Sequence, residues 1–350
     1  MEQKNREAMF LDAENLMRYL KNQIGAGTLS GNVDVDVPML TEKFEQHKEI
    51  MQGEESAVMA ENMLIIERWR KYKTIYAFDE SLQRALRDSD APEIHIDILR
   101  RLPYDAFFID FGGTKTVEND EGPLIGAFVI VEPADDGTVV IGACEVGGHI
   151  PEKHNIMMYA NMFRAKDGEE VRPANMSVMM PSLEEQAVDK NNMASAIERA
   201  ALYRHELDVM ELVVKCIYYL AAQNADIRQI KQAKDKRTKR YNGTRINLRR
   251  WEVGYRIGEA FRKRESELAQ AEQGKDTEHE DSDSDQKDKR NRPRPHVRRA
   301  HWHHYWCGEG RTRLEVQWLS PMFVNASDKD DAVVATKHDV KTEKKEGKKK

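Results

Sequence analysis

Imidazole, indole and guanidinium groups crowd one short stretch of this chain, Arg294-Pro295-His296-Val297-Arg298-Arg299-Ala300-His301-Trp302-His303-His304-Tyr305-Trp306. Neutral imidazole ligates metals, and an imidazole with an ordinary pKa of about 6.5 exchanges protons near neutral pH. Guanidinium groups neutralise phosphates, and aromatic rings beside them offer faces on which unpaired bases stack. On an extended strand successive side chains alternate, so His301, His303 and Tyr305 share one face and Trp302, His304 and Trp306 the other. Three readings compete. A metal site on His301 and His303 would need Asp110, Glu145 or Glu315 brought in by the fold, and the incomplete ligand pattern predicts no metal and no cofactor. An RNA contact would use Arg298, Arg299, His301, Trp302, His303 and Trp306, fed by six basic residues and no acidic ones between Lys289 and Arg299. A structural module would bury the tryptophans and tie histidines and arginines to backbone and carboxylates, the commonest outcome for such residues.

Nothing else assembles a reaction. The chain has no G-x-S-x-G elbow, no H-E-x-x-H and no phosphate-binding G-x-x-x-x-G-K-[ST] loop, so no enzyme is expected. Asp110-Phe111-Gly112-Gly113 reads as a strand end whose carboxylate caps the following turn. Met157, Met158 and Met162, followed by Met176, Met179 and Met180, form a methionine-rich stretch. Thioethers adapt to irregular apolar partners, so Met157, Met158 and Met162 are a candidate peptide-binding surface, with core filling as the alternative.

These residues need a scaffold, and its pattern is α+β. Phe10, Leu11, Leu16, Tyr19 and Leu20 recur at helical spacing before Gly25, Gly27, Gly31 and Pro38 mark a loop, and a second helical run covers roughly 55–87 with a break near Phe78-Asp79 left open. Three β-rich runs follow, at 106–111, 124–131 and 138–144. The connections between them are too short for a crossover helix, which predicts an antiparallel meander and disfavours a parallel nucleotide-binding sheet. After Asn191, the series Ala200, Tyr203, Leu207, Met210, Val214, Ile217 and Ala221 predicts a long helix with one buried stripe, stopping at Asn224. A short helix is expected over 249–264, and a hairpin over 297–306 and 313–319, where Leu314, Val316 and Trp318 alternate with polar residues.

Composition sets the outer limits. The 350 residues are 40% hydrophobic and 33% charged with a net charge of −6, the profile of a globular, charge-rich chain with little non-specific affinity for DNA. No apolar run approaches the roughly 20 residues of a membrane span, and the first residues lack an apolar stretch behind basic ones, so a cytoplasmic location is expected. Cys144, Cys216 and Cys307 lie far apart without C-x-x-C spacing and read as free thiols. Seven acidic residues between Lys275 and Asp288 precede the basic run. The expected organisation is a main domain at 1–265, a disordered charged linker at 266–292, a basic and aromatic β module at 293–325 and a disordered tail at 326–350.

The segment 294–308, continued by Val316-Gln317-Trp318-Leu319-Ser320-Pro321-Met322-Phe323-Val324-Asn325, closely resembles the end of the second type V-A anti-CRISPR protein family. Three shorter blocks occur in the same order: Trp69-Arg70 with Ile75-Tyr76 and Asp79-Glu80; Leu102-Pro103 leading to Ile109-Asp110; and Val253-Gly254-Tyr255-Arg256-Ile257-Gly258. The resemblance implies a protein of mobile elements that recognises the nascent N-terminal polypeptide of the type V-A CRISPR effector nuclease and causes loss of its mRNA during translation. The implied partners are that nascent polypeptide and, with it, the ribosome or mRNA. A histidine-dependent ribonuclease using His301 or His303, and a nucleic-acid-binding regulator of the mobile element, are the alternatives.

Overall fold

A computed structural model describes residues 3–50, 56–112, 118–119, 122–134, 136–147, 157–169, 193–230, 247–274 and 296–324. The chain divides into two compact units, Met1–Glu259 with Ala300–Ser320, and Ala260–Arg299 with Pro321–Lys350.

The first unit starts with helices α1 (Gln3–Gln23), α2 (Val33–Gln46) and α3 (Ser56–Tyr72). The loop between α1 and α2 turns at Gly25 and Gly31, both at positive φ, and Asn32 caps α2 by accepting a hydrogen bond from the Asp34 N–H. Pro38, expected in that loop, lies inside α2, whose buried Leu40 and Phe44 hold the helix although the proline removes one backbone donor. Asp36 accepts from the Ser30 and Gly31 amides and pairs with Arg68 of α3 at 3.0 Å.

The helical run expected over 55–87, with a break near Phe78-Asp79 left open, is interrupted earlier and by a strand. Lys73 takes a positive φ of 51°, and Thr74–Phe78 forms strand β1. Its β-branched and aromatic residues pair on both sides within a sheet, a tertiary gain that overrides the helical spacing. Helix α4 (Glu80–Arg87) follows, capped by Asp79 through the Ser81 N–H, and then the short α5 (Ile96–Leu99).

Strand β2 (Ala106–Asp110), the two-residue strands β3 (Glu118–Asn119) and β4 (Gly122–Pro123), then β5 (Gly126–Pro133), β6 (Val139–Gly147) and β7 (Met157–Ala165) come next. β2, β5, β6 and β7 pair antiparallel in turn, the predicted meander with one further strand. A Cβ on Gly126 would lie 2.1 Å from the Ile109 carbonyl oxygen, so only glycine lets β5 approach β2 there. Helix α6 (Met193–Ala221), strands β8 (Ile227–Gln229) and β9 (Arg249–Val253) and helix α7 (Tyr255–Gly274) complete the order before the C-terminal strands. The helix expected from 249 thus begins as a strand, because Arg249–Val253 lies alongside β1 in parallel register, Thr74 to Arg249 through Phe78 to Val253. The whole sheet runs β7-β6-β5-β2-β1-β9-β8 and is mixed, with β1 parallel to both neighbours.

Helices cover both sheet faces. Ala106, Phe108, Phe128 and Ile130 pack with residues of α1, α2 and α3, whereas Phe107, Ile109, Ala127 and Val129 pack with residues of α4, α5 and α6. From Leu207 onward α6 buries more than the predicted stripe: Val209, Leu212, Val213, Cys216, Tyr218 and Tyr219 are buried as well. A helix apolar on all sides needs cover on all sides, and part of that cover comes from strands β11 (His301–Cys307) and β12 (Arg313–Leu319). In the second unit, β10 (His296–Arg298) pairs antiparallel with β13 (Met322–Val324). α7 extends to Gly274, past the predicted start of the linker at 266. The remainder of that linker and the tail lie outside the described residues.

Candidate binding surface on the C-terminal hairpin

β11 and β12 form an antiparallel hairpin with His301 opposite Leu319 and Cys307 opposite Arg313. The turn is made by Gly308, Gly310 and Arg311, all at positive φ. One face points into the first unit. Trp318 and Val316 are buried, and Trp318 meets the Tyr219 ring edge-on at 5.5 Å. Trp302 packs edge-on against Tyr218 at 5.9 Å, and its indole N–H donates to the Asp90 carbonyl at 3.0 Å. His304 lies 4.9 Å from the His95 ring, and its Nε2 has no hydrogen-bond partner among the described residues. Burial, and then the neighbouring His95, hold the His304 pKa below its ordinary value.

The segment after α6 secures the hairpin from its side. Asn224 accepts from the Trp318 N–H at 3.1 Å and donates to the Trp318 carbonyl at 2.8 Å, and the Gln223 N–H donates to the Val316 carbonyl at 3.0 Å. A side-chain amide and a main-chain amide thus stand in for a neighbouring strand, satisfying backbone groups that β12 would otherwise expose. Arg101 adds a donor to the Leu314 carbonyl and an ion pair to Glu315 at 3.0 Å. Asn224, read from sequence as a helix stop, lies just beyond the end of α6 and has this second role. No sequence spacing announces it.

The six residues singled out as an RNA contact divide. Trp302 faces inward, half-buried, in a structural role. His301 is half-buried at the start of β11, whereas His303 is exposed and stacks on Tyr305 with planes inclined by 16°. Trp306 shares the inward parity of Trp302 and His304, yet its side chain is 59% exposed. Arg298 and Arg299 are exposed and belong to the second unit. Of the candidate peptide surface, Met157 and Met158 lie on β7 opposite Gly147 and Val146, and their side chains lie outside the described residues. Met162 is half-buried against the core under α1 to α3, where a Cβ on Gly142 would sit 3.0 Å from its Cγ.

Asp110 caps its turn through the Gly112 N–H at 2.9 Å and also pairs with Arg250 at 3.1 Å. Cys144, Cys216 and Cys307 are free, and burial pushes the Cys144 and Cys216 thiols far above their ordinary pKa. Among the described residues no three His, Cys, Asp or Glu side chains are arranged to hold a metal ion, and no helix is long and apolar enough to cross a membrane.

The structure also brings together the blocks that lie far apart in sequence. The Asp79 N–H donates to the Val253 carbonyl at 2.9 Å, and Tyr76 is in register with Ile109 on one side and Trp251 on the other. Gly258 exists because the Asp79 carboxylate occupies the space of a side chain there, 2.1 Å from where a Cβ would stand.

A family model, AcrVA2-like, the anti-CRISPR type V subtype A2 family, matches residues 76–326. A crystal structure of AcrVA2 is similar at 16% identity with a TM-score of 0.45, covering 91% of this chain and 98% of that one. No curated protein matches in sequence.

Proposed function

Since this chain belongs to the anti-CRISPR type V subtype A2 family, we propose that it recognises the nascent N-terminal polypeptide of the type V-A effector nuclease and triggers loss of the encoding mRNA during translation. The observation that carries this reading is the family match itself, which runs from β1 to the end of β13 and so includes the sheet, α6 and the hairpin. The hairpin supports it with exposed His303 and Trp306, and the adjoining segment with exposed Arg298 and Arg299, groups suited to RNA or the ribosome. The protein acts as an adaptor in the cytoplasm, where translation occurs.

The deciding experiment expresses the effector from a natural gene, a synonymously recoded gene and a frameshifted gene in the presence of this protein, and quantifies each transcript. Equal loss of the natural and recoded transcripts with survival of the frameshifted one supports peptide recognition. Loss that follows nucleotide sequence overturns it. Arg298→Ala with Arg299→Ala is expected to abolish inhibition while the thermal midpoint is unchanged, and full activity of the double variant removes the basic segment from the mechanism.

The competing reading, a ribonuclease using His301 or His303, draws on the exposure of the His303 imidazole. It requires specific cleavage of RNA by purified protein without ribosomes, lost in His303→Ala.

A further inference from the structure

A hollow of about 560 Å³ opens beside the hairpin turn, lined by Tyr305, Trp306 and Arg311. Its parts are held in place. The Tyr305 hydroxyl donates to the Gln223 side-chain oxygen and accepts from Gln317 Nε2 at 3.2 Å, so the phenol is anchored from behind. Arg311 is presented by left-handed backbone, φ 53°, following Gly310 at 73°. A non-glycine residue in that region is held by its surroundings, here by the Arg311 N–H to the Gly308 carbonyl at 3.1 Å.

The charge of the hollow is as informative as its shape. Arg313 on the adjoining strand is neutralised by Glu315 at 2.7 Å, and Glu315 also takes Arg101. Arg311 forms no ion pair among the described residues and is exposed. An indole that is 59% exposed, an anchored phenol and a guanidinium without an ion pair among the described residues thus line one open hollow at the turn end of the hairpin. The ligand they fit is a flat ring carrying a negative charge: the ring stacks on Trp306 and the anion binds the guanidinium fork. A nucleotide of single-stranded RNA has both parts in every residue, which a peptide supplies only through a particular pairing of side chains.

We infer that Trp306, Tyr305 and Arg311 form a nucleotide-binding notch for single-stranded RNA, the base on Trp306 and the phosphate on Arg311. This deepens the RNA-contact reading of the same hairpin and rests on it. It moves the contact from Trp302, which packs inward, to the turn, and adds two residues, Tyr305 and Arg311, that the sequence reading did not single out.

The test uses the full-length protein and a fluorescein-labelled 12-nucleotide RNA of mixed sequence, followed by anisotropy at several salt concentrations. Trp306→Ala is expected to weaken binding about tenfold or more while Trp306→Phe retains most of it, since stacking on one base is sequence-tolerant and needs only an aromatic face. Arg311→Ala is expected to weaken binding and flatten the slope of log affinity against log salt by about 0.7, the loss of one phosphate contact on a single strand. Circular dichroism and thermal midpoints equal to wild type establish that the variants are folded. Wild-type binding that Trp306→Ala and Arg311→Ala leave unchanged overturns the notch while the RNA contact stands elsewhere on the chain. If the wild-type chain binds no RNA, the RNA-contact reading itself fails and the notch with it. Saturable binding of a Glu-Tyr peptide that depends on Trp306, with RNA unable to displace it, makes the hollow a peptide site and also overturns the inference.

Discussion

His304 illustrates how one side chain couples the hairpin to pH. Its ring faces His95, with Glu93 and Asp167 within 4.0 Å of the His95 nitrogens, and burial is the largest influence lowering its pKa. The folded pKa therefore lies below the unfolded value of about 6.5. On acidification the unfolded chain takes up this proton first, so the contribution is complete above about pH 6.5 and is lost as pH falls through that value toward the folded pKa. The thermal midpoint is expected to fall between pH 7.5 and 5.5, and to fall less in His304→Gln; parallel curves for the two proteins would contradict this. Glu61 acts in the opposite sense. Burial raises its carboxyl to about 7, so between the ordinary value and 7 the folded chain holds a proton that the unfolded chain has lost. Stability from this group declines as pH rises through that window. Glu61→Gln is expected to stabilise the protein at pH 8 relative to pH 5, on the order of 1–3 kcal/mol after allowance for partial exposure, measured by urea unfolding at both pH values.

At the scale of elements, the start of α7 is held by a residue from another segment. Asp226 is buried, accepts from the Arg256 N–H at 2.6 Å and takes the Arg256 guanidinium at 2.7 Å, while Gly258 lets the helix close on Asp79. Asp226→Ala is expected to cost about 1–3 kcal/mol, mostly from the orphaned helix amides, because the exposed Arg256 side chain contributes little by itself. Gly258→Ala is expected to destabilise as well, since its Cβ would displace the Asp79 carboxylate; a denaturant midpoint equal to wild type would disprove the packing described. The connection between β5 and β6 rests on local chemistry, since Asp136 accepts from the Thr138 N–H at 3.0 Å and Gly137 takes φ 82°. β1 and β9 were hidden because their residues carry helix-compatible spacing, and pairing within the sheet, with each other across 175 positions and with β2 and β8 on their other sides, favours the strand.

For the whole molecule, the question is whether the hairpin is an appendage or part of the core. Residues Ala300–Ser320 group with Met1–Glu259, and Val316 and Trp318 are fully enclosed beside Tyr219. Removing everything after Gly274 is therefore expected to uncover α6 and abolish a cooperative thermal transition, whereas ending the chain at Asn325 should preserve it. Cooperative unfolding of the shorter chain would establish that the hairpin is an independent module.

The α+β class, the meander, the long helix and the presence of a hairpin follow from the sequence because each rests on local rules: alternation in strands, a repeat of three and four in helices, and turn chemistry between them. Where the hairpin begins does not, since 296–298 leaves it to pair with β13. The same local rules set which side chains of His301–Trp306 share a face. They do not determine which face finds a partner. Trp302 packs against Tyr218 and Trp306 is left open because of where α6 ends and what Gln223 and Asn224 bond to, contacts between positions more than 80 residues apart. Burial and pairing of that kind are properties of the assembled tertiary structure, so the sequence specified the chemical groups and the fold decided which of them meet solvent.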